Sequence, residues 1–225
     1  MIMQDQRNES LRTARAAGIW YLALAVSGVI GFLVLHPQIY VTDIARTVTN
    51  LQEQETLARW RLLAEFVIIL SQALAAVYFY KLFKDINPAG AWALAAWGTM
   101  NAAAIMVSAI AMGGAIDVAN GAAMPDEKLM MIQVFVHVIK NAWGVGSLFF
   151  GLWLIPMGFI VVHSKRMPLW LGRTLIMGGV GYVASAFLNY AGLTYSWIGA
   201  LTLPATIGEF WMIGYLLIFG IRSEE

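Results

Sequence analysis

Apolar positions fall into six long runs, separated by short stretches that carry most of the charge. A helix crossing a bilayer needs about twenty mostly apolar residues. The runs at about 16–35, 62–80, 91–116, 141–162, 175–193 and 205–221 meet or approach that length. The first is too long for a signal-peptide core of roughly 7–15 residues and precedes no small-x-small cleavage site, so it is expected to be a retained helix. Between the first two runs, Pro37–Thr56 is polar, but Ile44, Val48 and Leu51 recur at helical spacing. That pattern predicts a short external helix lying at the interface. Asn87-Pro88-Ala89-Gly90 and Ser164–Pro168 read as turns. Pro125-Asp126-Glu127 reads as a helix start, with acids where the helix dipole favours them. The helix beginning there continues to about Val162, too long for one crossing, so its first turns are expected outside the membrane or steeply tilted. The fold class is therefore all-α, a polytopic bundle of about six transmembrane helices forming one domain over residues 1–225.

Composition agrees. Charged residues make up 12% and hydrophobic residues 60% of the chain, with a mean hydropathy of +0.71. A soluble domain carries roughly 25% charged residues, so most of this surface is expected to face a lipid bilayer. The net charge of +1 and the lack of a Lys/Arg stripe give no sign of a nucleic-acid partner. With no cysteine, disulfides, thiolate metal sites and cysteine nucleophiles are excluded.

Positive charge orients the chain. With six crossings the termini share a side. Nine Lys/Arg residues fall on that side (Arg7, Arg12, Arg15, Lys81, Lys84, Lys165, Arg166, Arg173, Arg222) and five on the other (Arg46, Arg59, Arg61, Lys128, Lys140). Both termini are expected in the cytoplasm.

Two acids cannot be kept out of the membrane. Phe66–Tyr80 is too short to span, so the second helix must take in Glu65; Phe210–Ile221 is too short, so the sixth must take in Glu209. Each should lie on the order of 10 Å inside its outer helix end. An intramembrane acid costs roughly 2.5–3.5 kcal/mol by insertion scales, so both should face the interior and find partners. Gln133, His137, Lys140, Asn141 and Gly144 share one helical face at the same outer depth. Glu65, His137, Lys140, Asn141 and Glu209 are thus the candidate ligand- or ion-binding residues. The bland alternative is that buried ion pairs only fix packing, with Arg61 and Glu65 a local i, i+4 bridge. No HxxxH, HExxH or DxxD spacing accompanies His137, so no metal site is assigned. Asn101 among alanines, and the glycines of Gly178-Gly179-Val180-Gly181, read as close helix contacts. Trp20, Trp60, Trp92, Trp170 and Trp197 fall near span ends, as an aromatic belt should.

Several motifs in order resemble a known family. Arg15-Ala16-Ala17-Gly18-Ile19-Trp20-Tyr21-Leu22 is similar to an R-x-A-G-x-x-Y-L opening. Phe149-Phe150-Gly151-Leu152 followed by Gly158, then Pro168 to Gly172, resembles F-F-G-L…G…P-x-x-L-G. Pro204-Ala205-Thr206-Ile207-Gly208-Glu209 resembles P-A-x-x-G-E. These belong to the bacterial membrane proteins called domain of unknown function 4386, and Glu65 and His137 also fit that family. The resemblance covers nearly the whole chain. It implies six helices and a bacterial origin, and it brings no activity or cofactor; the inner membrane is the expected location. The leading expectation is binding or transport of a small solute, ion or proton. The alternatives are an intramembrane acid–base or metal-dependent enzyme, and a non-catalytic membrane subunit or sensor. No nucleophile or complete metal set is present, so an enzyme ranks lower.

Overall fold

A computed structural model describes residues 2–222, with side chains from Arg7 onward. It is all-α and polytopic: no strand occurs among the described residues, and six helical segments are long and apolar enough to cross a membrane. Helix α1 (Ile2–Gly28) continues through a π-helical stretch, Val29–Leu35, into the short α2 (His36–Ile39). Then come α3 (Ile44–Glu53), α4 (Glu55–Phe83), α5 (Pro88–Asn120), α6 (Pro125–Ser164) and α7 (Leu169–Tyr190). A 3-10 turn (Ser196–Thr202) leads into α8 (Leu203–Ile218). Large apolar side chains such as Leu33, Val77, Ile110 and Ile207 are exposed along the spans, where a soluble protein would place polar groups.

The short helix expected between the first two spans is α3. Asp43 caps it, its carboxylate accepting from the Ala45 N–H at 2.9 Å. Asn50 ties it to the end of α2, donating to the carbonyls of Gln38 and Ile39. Helix α6 has 40 residues. At 1.5 Å per residue it is about 60 Å long, twice the roughly 30 Å hydrocarbon core, so it tilts or projects beyond it.

Three expected boundaries shift, for local reasons. Pro88–Gly90 is not a turn but the first turn of α5. The turn precedes it, and Asn87 closes it by accepting from the Gly90 N–H at 2.9 Å. Proline's missing N–H costs nothing at a helix start. The fifth span ends at Tyr190 rather than Leu193, because Gly192 takes a left-handed conformation (φ 82°) and the Leu193 N–H returns to Leu188 O. The sixth ends at Ile218 rather than Ile221, ahead of Gly220 (φ 69°).

Contacts divide the chain into two compact units. Among the described residues, unit 1 comprises 2–22, Ser71–Asn101 and 145–222; unit 2 comprises Ala23–Leu70 and Ala102–Gly144. Unit 1 is held by glycine contacts. A Cβ on Gly158 would lie 2.5 Å from Gly172 O, and one on Gly151 2.7 Å from Gly179 O. These reciprocal pairs run antiparallel, with the glycines seven positions apart on each helix, and let the backbones of α6 and α7 touch. Gly178 likewise accommodates Ala205, so α7 packs tightly on α8 as well. Unit 2 has an apolar core of Ile39, Leu51, Met112, Ile116 and Ile132.

Candidate functional site

In unit 2, Arg61 and Glu65 stand one helical turn apart on α4, with an Arg61 Nη1 to Glu65 Oε2 distance of 2.7 Å and both side chains 0% exposed. The second oxygen of Glu65 accepts from the indole N–H of Trp143 at 2.9 Å. Glu65 is therefore fully engaged. Arg61 is not: its Nε and Nη2 are buried without a hydrogen-bond partner. The chain comes close here because Gly31, within the π-helical stretch, has no side chain. A Cβ there would sit 3.3 Å from Arg61 Nη1 and 3.2 Å from Ala64 Cβ.

Beside this pair lies a cavity of about 490 Å3. One wall is a ladder of rings at i, i+4 and i+8: Phe32 stacks on His36 (5.3 Å) and His36 on Tyr40 (4.9 Å), while Trp143 lies 5.0 Å from Phe32. The facing wall is one stripe of α6, Gln133, Val136, His137, Lys140 and Trp143. His36 Nδ1 and the Tyr40 hydroxyl are buried without partners, and the Arg61 charge acts on both residues. His137 Nδ1 donates to Gln133 O at 2.7 Å. Lys140 is exposed and makes no ion pair among the described residues. The cavity thus has an aromatic wall and a free ammonium group, and the buried ion pair lies outside its lining, connected to it through Trp143.

Of the residues expected to form one cluster, His137 and Lys140 line this cavity, and Glu65 joins it through Trp143. The partners of Glu65 are Arg61 and Trp143, not His137 or Lys140. Asn141 stands outside the lining and donates to His137 O at 2.8 Å. Glu209 belongs to unit 1, where it accepts from the Tyr21 hydroxyl at 2.7 Å. Tyr21 is packed against Phe79 and Trp153 in a fully buried aromatic group. Asn101 donates to Gln72 Oε1 at 3.2 Å, a buried contact in the same unit.

Arg61, Tyr40 and Trp143 are functional candidates that sequence reasoning passed over. One signal pointed to Tyr40: Phe32, His36 and Tyr40 share a four-residue spacing. Trp143 falls at the start of the 141–162 run, where an aromatic belt residue is expected, and so gave no signal. Among the described residues no three His, Cys, Asp or Glu side chains are grouped as a metal ion would require.

Comparison with known proteins adds family but no activity. The chain is 33% identical over 81 residues to an uncharacterized protein of Archaeoglobus fulgidus, an alignment covering 36% of this chain. The matched part spans about half (48%) of that relative. No solved structure matches. The family described as Domain of unknown function (DUF4386) matches residues 16–220, nearly the whole chain, and the protein belongs to that family.

Proposed function

We propose that this chain is a membrane-embedded binding protein that takes a small solute in the unit 2 cavity, with translocation of that solute as the natural extension. The observation that carries the reading is a cavity of about 490 Å3 lined by His36 and Tyr40, each with a buried polar atom left without a partner. Ligand sites are typically concave, mostly apolar, roughly 300–1,000 Å3 and marked by a few convergent polar groups. Buried polar atoms are ordinarily paired, so two unpaired ones on residues lining one cavity call for an occupant. His137 and Lys140 supply polar contacts at the α6 wall, and Glu65 fixes Arg61 and Trp143. Glu209 is a separate candidate ion or proton position in unit 1. We place both termini in the cytoplasm, the chain in a bacterial inner membrane and the cavity toward the outer face, on the charge bias of nine against five.

One observation favours a second, purely structural reading: both oxygens of Glu65 are already satisfied. A buried ion pair can serve only to fix helix packing. Accessibility separates the two. The chain has no cysteine, so a single cysteine replacing exposed Gln133 on the cavity wall is an unambiguous reporter. A binding cavity predicts rapid reaction with a water-soluble maleimide added outside cells. Lack of reaction from either side of the membrane would leave only the structural reading.

A further inference from the structure

Hydrogen-bonding capacity around this cavity is unbalanced, and the imbalance specifies a ligand class. Both oxygens of Glu65 are taken, and neither Asp nor Glu lines the cavity. The unused groups are mostly donors. Arg61 retains Nε–H and Nη2–H, the adjacent edge of the guanidinium that matches a two-oxygen acceptor. Tyr40 lines the cavity, is only 8% exposed, and has a buried, unpaired hydroxyl. Lys140 adds an ammonium with no ion-pair partner among the described residues. An occupant must therefore bring acceptors.

Charge narrows the choice. Glu65 offsets Arg61, which leaves Lys140 as a single surplus positive charge. A singly charged anion balances it. A doubly charged phosphate would leave net negative charge near Glu65, in a region where unbalanced charge is costly. Thr42, Gln133 and His137 are polar, but much of the remaining wall is apolar and aromatic, with Phe32, the His36 ring, Val136 and Trp143.

Resting on the binding reading above, we infer that the cavity takes a carboxylate on an apolar body, its oxygens on the Tyr40 hydroxyl and the Lys140 ammonium. Arg61 is fully buried and outside the lining, and its charge acts on both Tyr40 and His36. The apolar body lies along Phe32 and Trp143. Such a molecule can come from water, as a small aromatic acid, or from the bilayer, as a fatty acid.

The test uses the full chain in lipid nanodiscs with the Gln133→Cys reporter. Protection of the thiol from maleimide is measured against benzoate, dodecanoate, their neutral counterparts benzamide and dodecanol, and inorganic phosphate. Saturable protection by a carboxylate with little from its neutral counterpart is the expected result. Benzoate alone would identify an aqueous ligand and dodecanoate alone a lipid-derived one. Tyr40→Phe and Lys140→Gln, which leave the Arg61–Glu65 pair intact, should each raise the half-protecting concentration roughly tenfold, the effect of losing one charge-assisted hydrogen bond. Equal protection by the neutral counterparts, stronger protection by phosphate, or no change in both variants would overturn the carboxylate assignment. So would a reactive thiol that no carboxylate protects, although the binding reading would survive. A thiol that never reacts would defeat the binding reading itself.

Discussion

In unit 2 the carboxylate of Glu65 is held by a guanidinium and an indole N–H, and a cavity lies alongside. In unit 1 the carboxylate of Glu209 is held by one phenol amid close-packed rings, and no Lys or Arg among the described residues pairs with it. The surroundings differ in kind as well. Unit 1 closes its helix contacts through glycine, backbone on backbone, leaving no room between α6 and α7. Unit 2 brings large rings together around a cavity, and buried polar atoms without partners occur in both units, on Arg61, His36 and Tyr40 in unit 2 and on Ser71, Gln72 and Trp153 in unit 1. Charge compensation and vacant volume thus occur together in one unit, and an uncompensated acid in a tight core occurs in the other. A small-molecule site needs the first combination.

The largest effect that could break this contrast comes from splitting the buried pair. Arg61→Ala or Glu65→Ala should each destabilise the protein by about 3–5 kcal/mol, because the remaining charge is stranded. Unfolding in mixed micelles would measure it, and the double replacement by apolar residues should recover most of the loss. A loss below about 1 kcal/mol, the range of an exposed pair, would mean that water reaches the pair freely. Next in size is Tyr21→Phe in unit 1. It removes the hydroxyl that Glu209 accepts from and should cost about 1.5–3 kcal/mol, the usual worth of a hydrogen bond to a charged group. A negligible change would show that Glu209 has another partner.

Gly158→Ala sharpens the packing half of the comparison. Its Cβ would meet Gly172 O at 2.5 Å, a backbone atom that cannot rotate away. Overpacking of this kind costs about 1–3 kcal/mol. Gly28→Ala, where a Cβ meets nothing within 4 Å, serves as the control and should change little. The smallest effect belongs to Arg59→Ala. Its bridge to Glu55 has the same i, i+4 spacing as Arg61–Glu65 and is equally short at 2.6 Å, but Arg59 is 58% exposed. It should cost less than about 1 kcal/mol, so two pairs on one helix isolate the role of burial.

Much of the fold was legible because membrane constraints are one-dimensional. Span length alone placed Glu65 and Glu209 inside helices, and both are there, in α4 and α8. The glycines around Gly178 were readable as contacts because small residues have one main use between membrane helices. The partners were not legible. Tyr21 and Glu209 are 188 positions apart, and Trp143 and Glu65 are 78 apart. Which groups meet depends on the rotation of each helix, which sequence spacing does not set. The π-helical stretch Val29–Leu35 compounds this, since it changes the register that carries Phe32 and His36 onto the cavity. Asn141 illustrates the limit. It shares the predicted face with His137 and Lys140, yet it bonds to its own helix backbone.

The central claim, a reachable polar cavity in unit 2 and a close-packed core in unit 1, is tested most directly by comparing two single cysteines in membranes. One replaces Gln133 on the cavity wall; the other replaces buried Ser185 on α7. The account predicts that a water-soluble maleimide modifies the first rapidly and leaves the second untouched until the protein is unfolded. Equal modification of both, or protection of both, would contradict it.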